Sequence, residues 1–144
     1  MPKVEKSALV PYSAPVMYEL VNDVESYPEF LPWCRQCRLL SRDEFELCGE
    51  IVVARAGIHQ TFSTCNELYP HERIDVHLRE GPFKRLEGSW EFQALREDAC
   101  KISLIMEFEF SGRLINAAFG RVFSQIADTL VDAFCKRARE LHGD

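Results

Sequence analysis

No run in the 144-residue sequence approaches the ~20 apolar residues needed to span a bilayer, and the N-terminus, Met1-Pro2-Lys3-Val4-Glu5-Lys6, has no apolar signal core. The expectation is a cytoplasmic chain without a transmembrane segment, in which the six cysteines are free thiols. Positive charge is also scarce: 17 Lys and Arg against 23 Asp and Glu give a net charge of −6. That balance opposes DNA, RNA and anionic membrane surfaces unless basic residues cluster locally. Absent too are H-E-x-x-H, G-x-S-x-G and a phosphate-cradling glycine loop, and His59, His71, His77 and His142 show no ligand spacing. These gaps exclude the common hydrolase and metalloenzyme frameworks and point to no catalytic residue and no metal. No low-complexity linker, charge block or internal repeat interrupts residues 1–144, which read as one domain.

What the sequence has is apolar periodicity. Hydrophobic residues make up 47%, with ten Phe, four Tyr and two Trp. Val4 to Val10 reads as a strand. Ser13 as cap and Pro15 in the first turn open a short helix through Met17, Leu20 and Val24. Ser26 and Glu29 have capping-box spacing for a second, ended by Pro32.

From Cys34 to Ser111 the period is two. Cys100, Ile102, Leu104, Met106, Phe108 and Phe110 share one face of the last strand. Leu86, Gly88, Trp90, Phe92 and Ala94 repeat the pattern, as do Ile74, Val76 and Leu78. Gly57, Pro70-His71 and Gly81-Pro82 mark connections. The final thirty residues turn helical, with an apolar stripe of Ile115, Phe119, Val122, Phe123, Ile126, Leu130 and Phe134, rejoined by Leu141. Two surfaces, each oily on one side, must bury each other. The expected fold is α+β: a curved antiparallel sheet of about seven strands gripping one long C-terminal helix, with two short helices after the first strand.

Cys34-Arg-Gln-Cys37 has redox or zinc half-site spacing, but it enters a strand, where a spacing of three puts the thiols on opposite faces, and no second C-x-x-C exists. Two small packing residues is the simpler reading. Gly120 sits mid-helix at a cost of about 1 kcal/mol relative to Ala, which suits a close backbone approach or a bend. Arg137 falls near the centre of the helix's apolar stripe. It either reaches water past the sheet edge or, if buried, requires a carboxylate or a polar ligand group. Lys84-Arg85 and Lys136 with Arg139 are the two basic clusters available to a polyanion.

The ordered motifs Val10-Pro11-Tyr12-Ser13, Val21-Asn22-Asp23-Val24, Ser26-Tyr27-Pro28, Phe30-Leu31-Pro32-Trp33-Cys34, Gly81-Pro82-Phe83-Lys84 and Ala118-Phe119-Gly120-Arg121-Val122-Phe123, with Arg137-Ala138, resemble the coenzyme Q-binding and ribosome association toxin RatA family. That family lies within the START-like helix-grip superfamily, whose other members include polyketide cyclases. The RatA branch is the nearer match. The resemblance implies a cavity under the C-terminal helix that holds ubiquinone or a related polyprenyl lipid as ligand, with no cofactor required. It implies for the RatA branch a second role, binding the large ribosomal subunit and blocking subunit joining. On this reading Leu104, Met106, Phe108, Phe119, Val122, Phe123, Ile126 and Leu130 line the tail's path beside Trp90 and Phe92. Trp33 and Phe83 stand at the mouth, and Lys84, Arg85, Lys136 and Arg139 are candidate ribosome contacts.

Overall fold

The computed structural model describes residues 3–143. Strand β1 (Lys3–Val10) leads into α1 (Ala14–Asn22), a 3-10 helix (Val24–Glu29) and strands β2 (Cys34–Arg42), β3 (Glu46–Arg55), β4 (Ile58–Tyr69), β5 (Arg73–Glu80), β6 (Phe83–Arg96) and β7 (Ala99–Phe110). The long helix α2 (Arg113–His142) ends the described chain. The seven strands form one antiparallel sheet in the order β1-β7-β6-β5-β4-β3-β2. At about 1.5 Å per residue α2 runs roughly 45 Å along its concave face.

Local chemistry explains the boundaries. Ser13 Oγ accepts the Val16 amide at 3.3 Å, and Pro15 occupies the first turn of α1, where its missing N–H costs nothing. The Ser26–Glu29 capping box does not form. The second short element is 3-10, begins two residues earlier, and Ser26 Oγ donates instead to Asp23 Oδ2 at 2.6 Å. Gly81, at φ +154°, turns β5 into β6 where a Cβ would lie 2.6 Å from the Cβ of Phe62. Gly120 serves close approach, since a Cβ there would stand 3.3 Å from the Phe110 ring.

Irregular pairing bends the sheet. Register shifts fall in β2, between Ser63 and Thr64 of β4, and at both ends of β6. The period-two faces of β5 to β7 lie as the sequence implies, with Ile74, Leu86, Trp90, Ile102, Leu104 and Phe108 buried. On α2 the stripe is filled by Val131 and Ala127, whereas Leu141, at 51% exposure, leaves it.

Two cysteine expectations are corrected. The shift between Cys34 and Gln36 pairs Cys34 with Val53 and Cys37 with Ile51, which share a face of β3, so both thiols point the same way. Cys48 and Cys65 stand directly opposite each other on β3 and β4, Cα atoms 4.1 Å apart, and are joined as a disulfide rather than left as free thiols. Cys34, Cys37, Cys100 and Cys135 are free.

Candidate functional site

The space between sheet and helix divides into two unlike halves. Towards β6, β7 and the first half of α2, six phenylalanines (Phe62, Phe83, Phe108, Phe110, Phe119 and Phe123) pack ring against ring. Phe83 and Phe123 have centroids 4.9 Å apart, Phe108 and Phe123 4.9 Å, and Phe83 stacks on Phe110 at 5.1 Å. Rings at these separations leave no room for a guest. Phe83, Phe92, Leu104, Phe108, Phe119 and Val122 are buried and stand outside the cavity lining. Phe83 is 5% exposed and packs against Phe110, and Phe92 lies under α1 with its ring 5.7 Å from Tyr18.

The other half is hollow. An apolar cavity of about 90 Å³ lies between β3–β7, the short helices with the start of β2, and the middle of α2 from Phe123 to Phe134. Of the residues named from the sequence, Trp33, Trp90, Met106, Phe123, Ile126 and Leu130 line it. Phe134, Ala127, Val21, Val24, Tyr27, Cys37, Leu47, Gly49, Ile51, Val53, Phe62, Thr64, Asn66, Ile74, Val76 and Leu86 complete the wall. Space exists because small residues face it: Gly49, Ala127 and four valines stand where the other half carries rings. Cavities of the order of 150 Å³ accept benzene, so this one has the scale of a small head group, well below the roughly 300–1,000 Å³ of a drug-sized site. A long tail requires the helix or the 3-10 segment to yield. The half-buried lining residues Tyr27, Cys37, Ile51, Asn66 and Leu130 put the thinnest cover at the 3-10 helix, β2–β3 and α2.

Polarity is sparse in that wall. No Asp, Glu, His, Lys or Arg stands among its described lining residues. The Tyr27 hydroxyl donates to the Val21 carbonyl, and burial, then the neighbouring Cys37 and Cys34 thiols, push it far above the usual tyrosine range. The Cys37 thiol donates to the Cys34 sulfur. That bond holds the Cys34 thiol below its ordinary value and Cys37 well above. Thr64 and Asn66 lie two apart on β4, facing inward, and Asn66 Oδ1 is buried without a hydrogen-bond partner among the described residues. Sequence reasoning missed both; the available signal was two polar residues on the apolar face of a strand also carrying Phe62 and Leu68. Among the described residues no group of three or more His, Cys, Asp or Glu side chains is placed to hold a metal ion.

Arg137, one turn beyond the cavity-lining Phe134, has its side chain 17% exposed. Its Nη2 meets Glu29 Oε1 at 3.0 Å and its guanidinium lies 5.0 Å over the Phe30 ring, so the half-buried side chain has a carboxylate partner that is itself largely exposed. The two basic clusters do not merge. Lys84 and Arg85, each beside a glutamate (Glu109 at 3.9 Å and Glu87 at 3.4 Å), flank the start of α2. Lys136 and Arg139 are exposed near its far end, roughly 35 Å away by helix rise.

The sequence matches the family model for polyketide cyclases, dehydrases and lipid transport proteins over residues 10–135. It is 46% identical over 140 residues to a ribosome association toxin RatA from Pseudomonas aeruginosa, covering 97% of both chains. The chain belongs to the RatA family. A persistence and stress-resistance toxin, PasT, from Escherichia coli shares 47% over 142 residues, covering 99% of this chain and 90% of that one. A mitochondrial coenzyme Q-binding protein homologue from Xenopus laevis is more distant, 26% identical over 96% of this chain and 58% of its own length. A START superfamily protein from Mycobacterium smegmatis superposes with a TM-score of 0.78 at 23% identity, covering 96% and 98% of the two chains. An aromatase/cyclase from Streptomyces reaches a TM-score of 0.85 at 18%, covering 98% and 96%. At those identities the likeness establishes the START-like helix-grip fold of this RatA-family chain. No helix among the described residues is long and apolar enough to cross a membrane.

Proposed function

We propose that this chain is a ribosome association factor that acts, without catalysis, in the cytoplasm on the large ribosomal subunit and opposes its joining to the small one. The observation that carries this reading is identity of about half, sustained along almost the whole chain, with a protein named for ribosome association. The net charge of −6 requires that contact be local rather than diffuse. Because the two basic clusters lie at opposite ends of α2, one end makes the principal contact. Co-sedimentation with purified ribosomal subunits across a salt series is the test. The expected result is pelleting with the large subunit that weakens as salt rises. Charge reversal at Lys84 and Arg85, or separately at Lys136 and Arg139, reports which end is used. Absence of pelleting at low salt removes the reading.

A second reading stands on the cavity itself: the domain binds an apolar ligand, and the distant kinship with a coenzyme Q-binding protein favours ubiquinone or a related polyprenyl lipid. The uncharged lining supports binding rather than acid–base chemistry. Organic extraction of freshly purified protein followed by mass spectrometry, with quinone uptake measured alongside, decides it. Protein that is empty and takes up no quinone counts against it.

A further inference from the structure

The lining of the cavity constrains what its ligand carries. Among side chains on that wall, the Tyr27 hydroxyl is already committed to the Val21 carbonyl and the Cys37 thiol to Cys34. Asn66 Oδ1 is buried with no partner among the described residues, and Thr64, 7% exposed, stands beside it on the same inward face of β4. A buried amide oxygen that no protein group bonds is an acceptor open to a ligand, and one that supplies an O–H or N–H completes the bond. The wall offers no cation to neutralise an anionic head group, and a carboxylate or phosphate brought there would be desolvated and unpaired. Both features select the same chemistry.

We propose that Asn66, with Thr64 beside it, anchors the hydroxyl of an uncharged amphiphile. The ligand class is a phenol, a hydroquinone or an alcohol whose apolar body extends past Ile51 and Leu130 towards the thin cover near Cys37. This inference rests on the ligand-binding reading and deepens it. It sets the ligand's polar end at β4, and it favours the hydroxylated member of any pair sharing one skeleton.

Trp33 and Trp90 both line the cavity and are the only tryptophans in the chain, so their fluorescence reports occupancy directly. The experiment titrates the full chain with para-octylphenol and with its methyl ether, which keeps ring and tail but has lost the donor. The phenol is expected to bind about ten-fold tighter, the weight of one well-formed hydrogen bond. Asn66→Leu is expected to erase that gap while still binding the ether, and Asn66→Ala gives the same comparison should Leu crowd the site. Equal affinity of the wild-type protein for both probes overturns the anchor, as does a phenol preference that survives in Asn66→Leu. Binding of neither probe removes the ligand-binding reading and the anchor with it, an outcome distinct from binding without preference.

Discussion

Arg137 of α2 holds the 3-10 helix through Glu29, Nη2 to Oε1 at 3.0 Å, across 108 residues of sequence, while covering the ring of Phe30. Beside it, Tyr27 and Phe30 pack edge-on against Phe134, with centroids 5.5 and 5.4 Å away, and Tyr27 and Phe134 line the cavity. Glu29 is 63% exposed, so the charge pairing alone is worth little. Arg137→Ala removes the cover over Phe30 as well, and it is expected to cost about 1–2 kcal/mol. Glu29→Gln is expected to cost less than about 1 kcal/mol. Urea unfolding of both variants checks the order, and equal costs would show that the ion pair, not the packing, is what Arg137 supplies.

The phenylalanine half and the hollow half respond differently to truncation. Phe108→Ala lies in solid core with 0% exposure and is expected to lose about 3–5 kcal/mol while leaving cavity residues in place. Ala127→Leu fills the space under α2 from a residue that is itself fully buried and lines the cavity. It is expected to abolish uptake of apolar probes at a stability change within about 1–3 kcal/mol. Calorimetry and tryptophan quenching on both variants separate the two effects. Unchanged uptake in Ala127→Leu would place the binding volume elsewhere.

Most of the architecture was legible because it follows from period. Cys100 to Phe110 alternates with the single exception of Ile105, and the stripe from Ile115 to Phe134 keeps helical spacing, so sheet, helix and their mutual burial follow from the residues alone. Parity counting failed where a bulge intervened: one extra residue after Cys34 turned Cys37 to the same side. Register decided the Cys48–Cys65 meeting, which depends on how β3 and β4 align rather than on either strand's own pattern. The location of the cavity was not readable either. Inward-facing residues are identifiable by phase, but whether Phe119 or Ala127 faces a void depends on the volumes opposite. Thr64 and Asn66 broke the apolar pattern of β4 and were the available clue to the polar part of the site.

The Cys48–Cys65 bond closes a hairpin with a sequence separation of 17. By loop-closure entropy such a bond is worth about 3 kcal/mol against the unfolded chain. Unfolding with and without reductant, and in Cys48→Ser/Cys65→Ser, is expected to show losses of that order and agreement between the reduced and doubly substituted proteins. In a reducing compartment the protein then works nearer its stability threshold than when oxidised. A reduced protein as stable as the oxidised one would mean that strand pairing already confines the hairpin in the unfolded ensemble.

Alkaline pH tests the buried thiols. Cys100 is fully buried on β7, and burial, followed by the nearby Cys135, pushes its thiol up from 9.0 to about 11. Below pH 9 folded and unfolded chains both keep the proton, so the favourable contribution is complete. Between pH 9 and 11 the unfolded chain releases it first, and stability falls as pH rises. At about 1.36 kcal/mol per unit this thiol's share is at most about 2.7 kcal/mol. Tyr27, raised further by burial, extends the decline beyond that window. Cys100→Ala removes the titrating group, so its unfolding free energy is expected to fall less steeply across pH 9–11 than that of the wild type, whatever its baseline. Parallel slopes for the two proteins would show that the thiol already ionises in the folded state near its ordinary value, which requires water to reach the interface between β7 and α2.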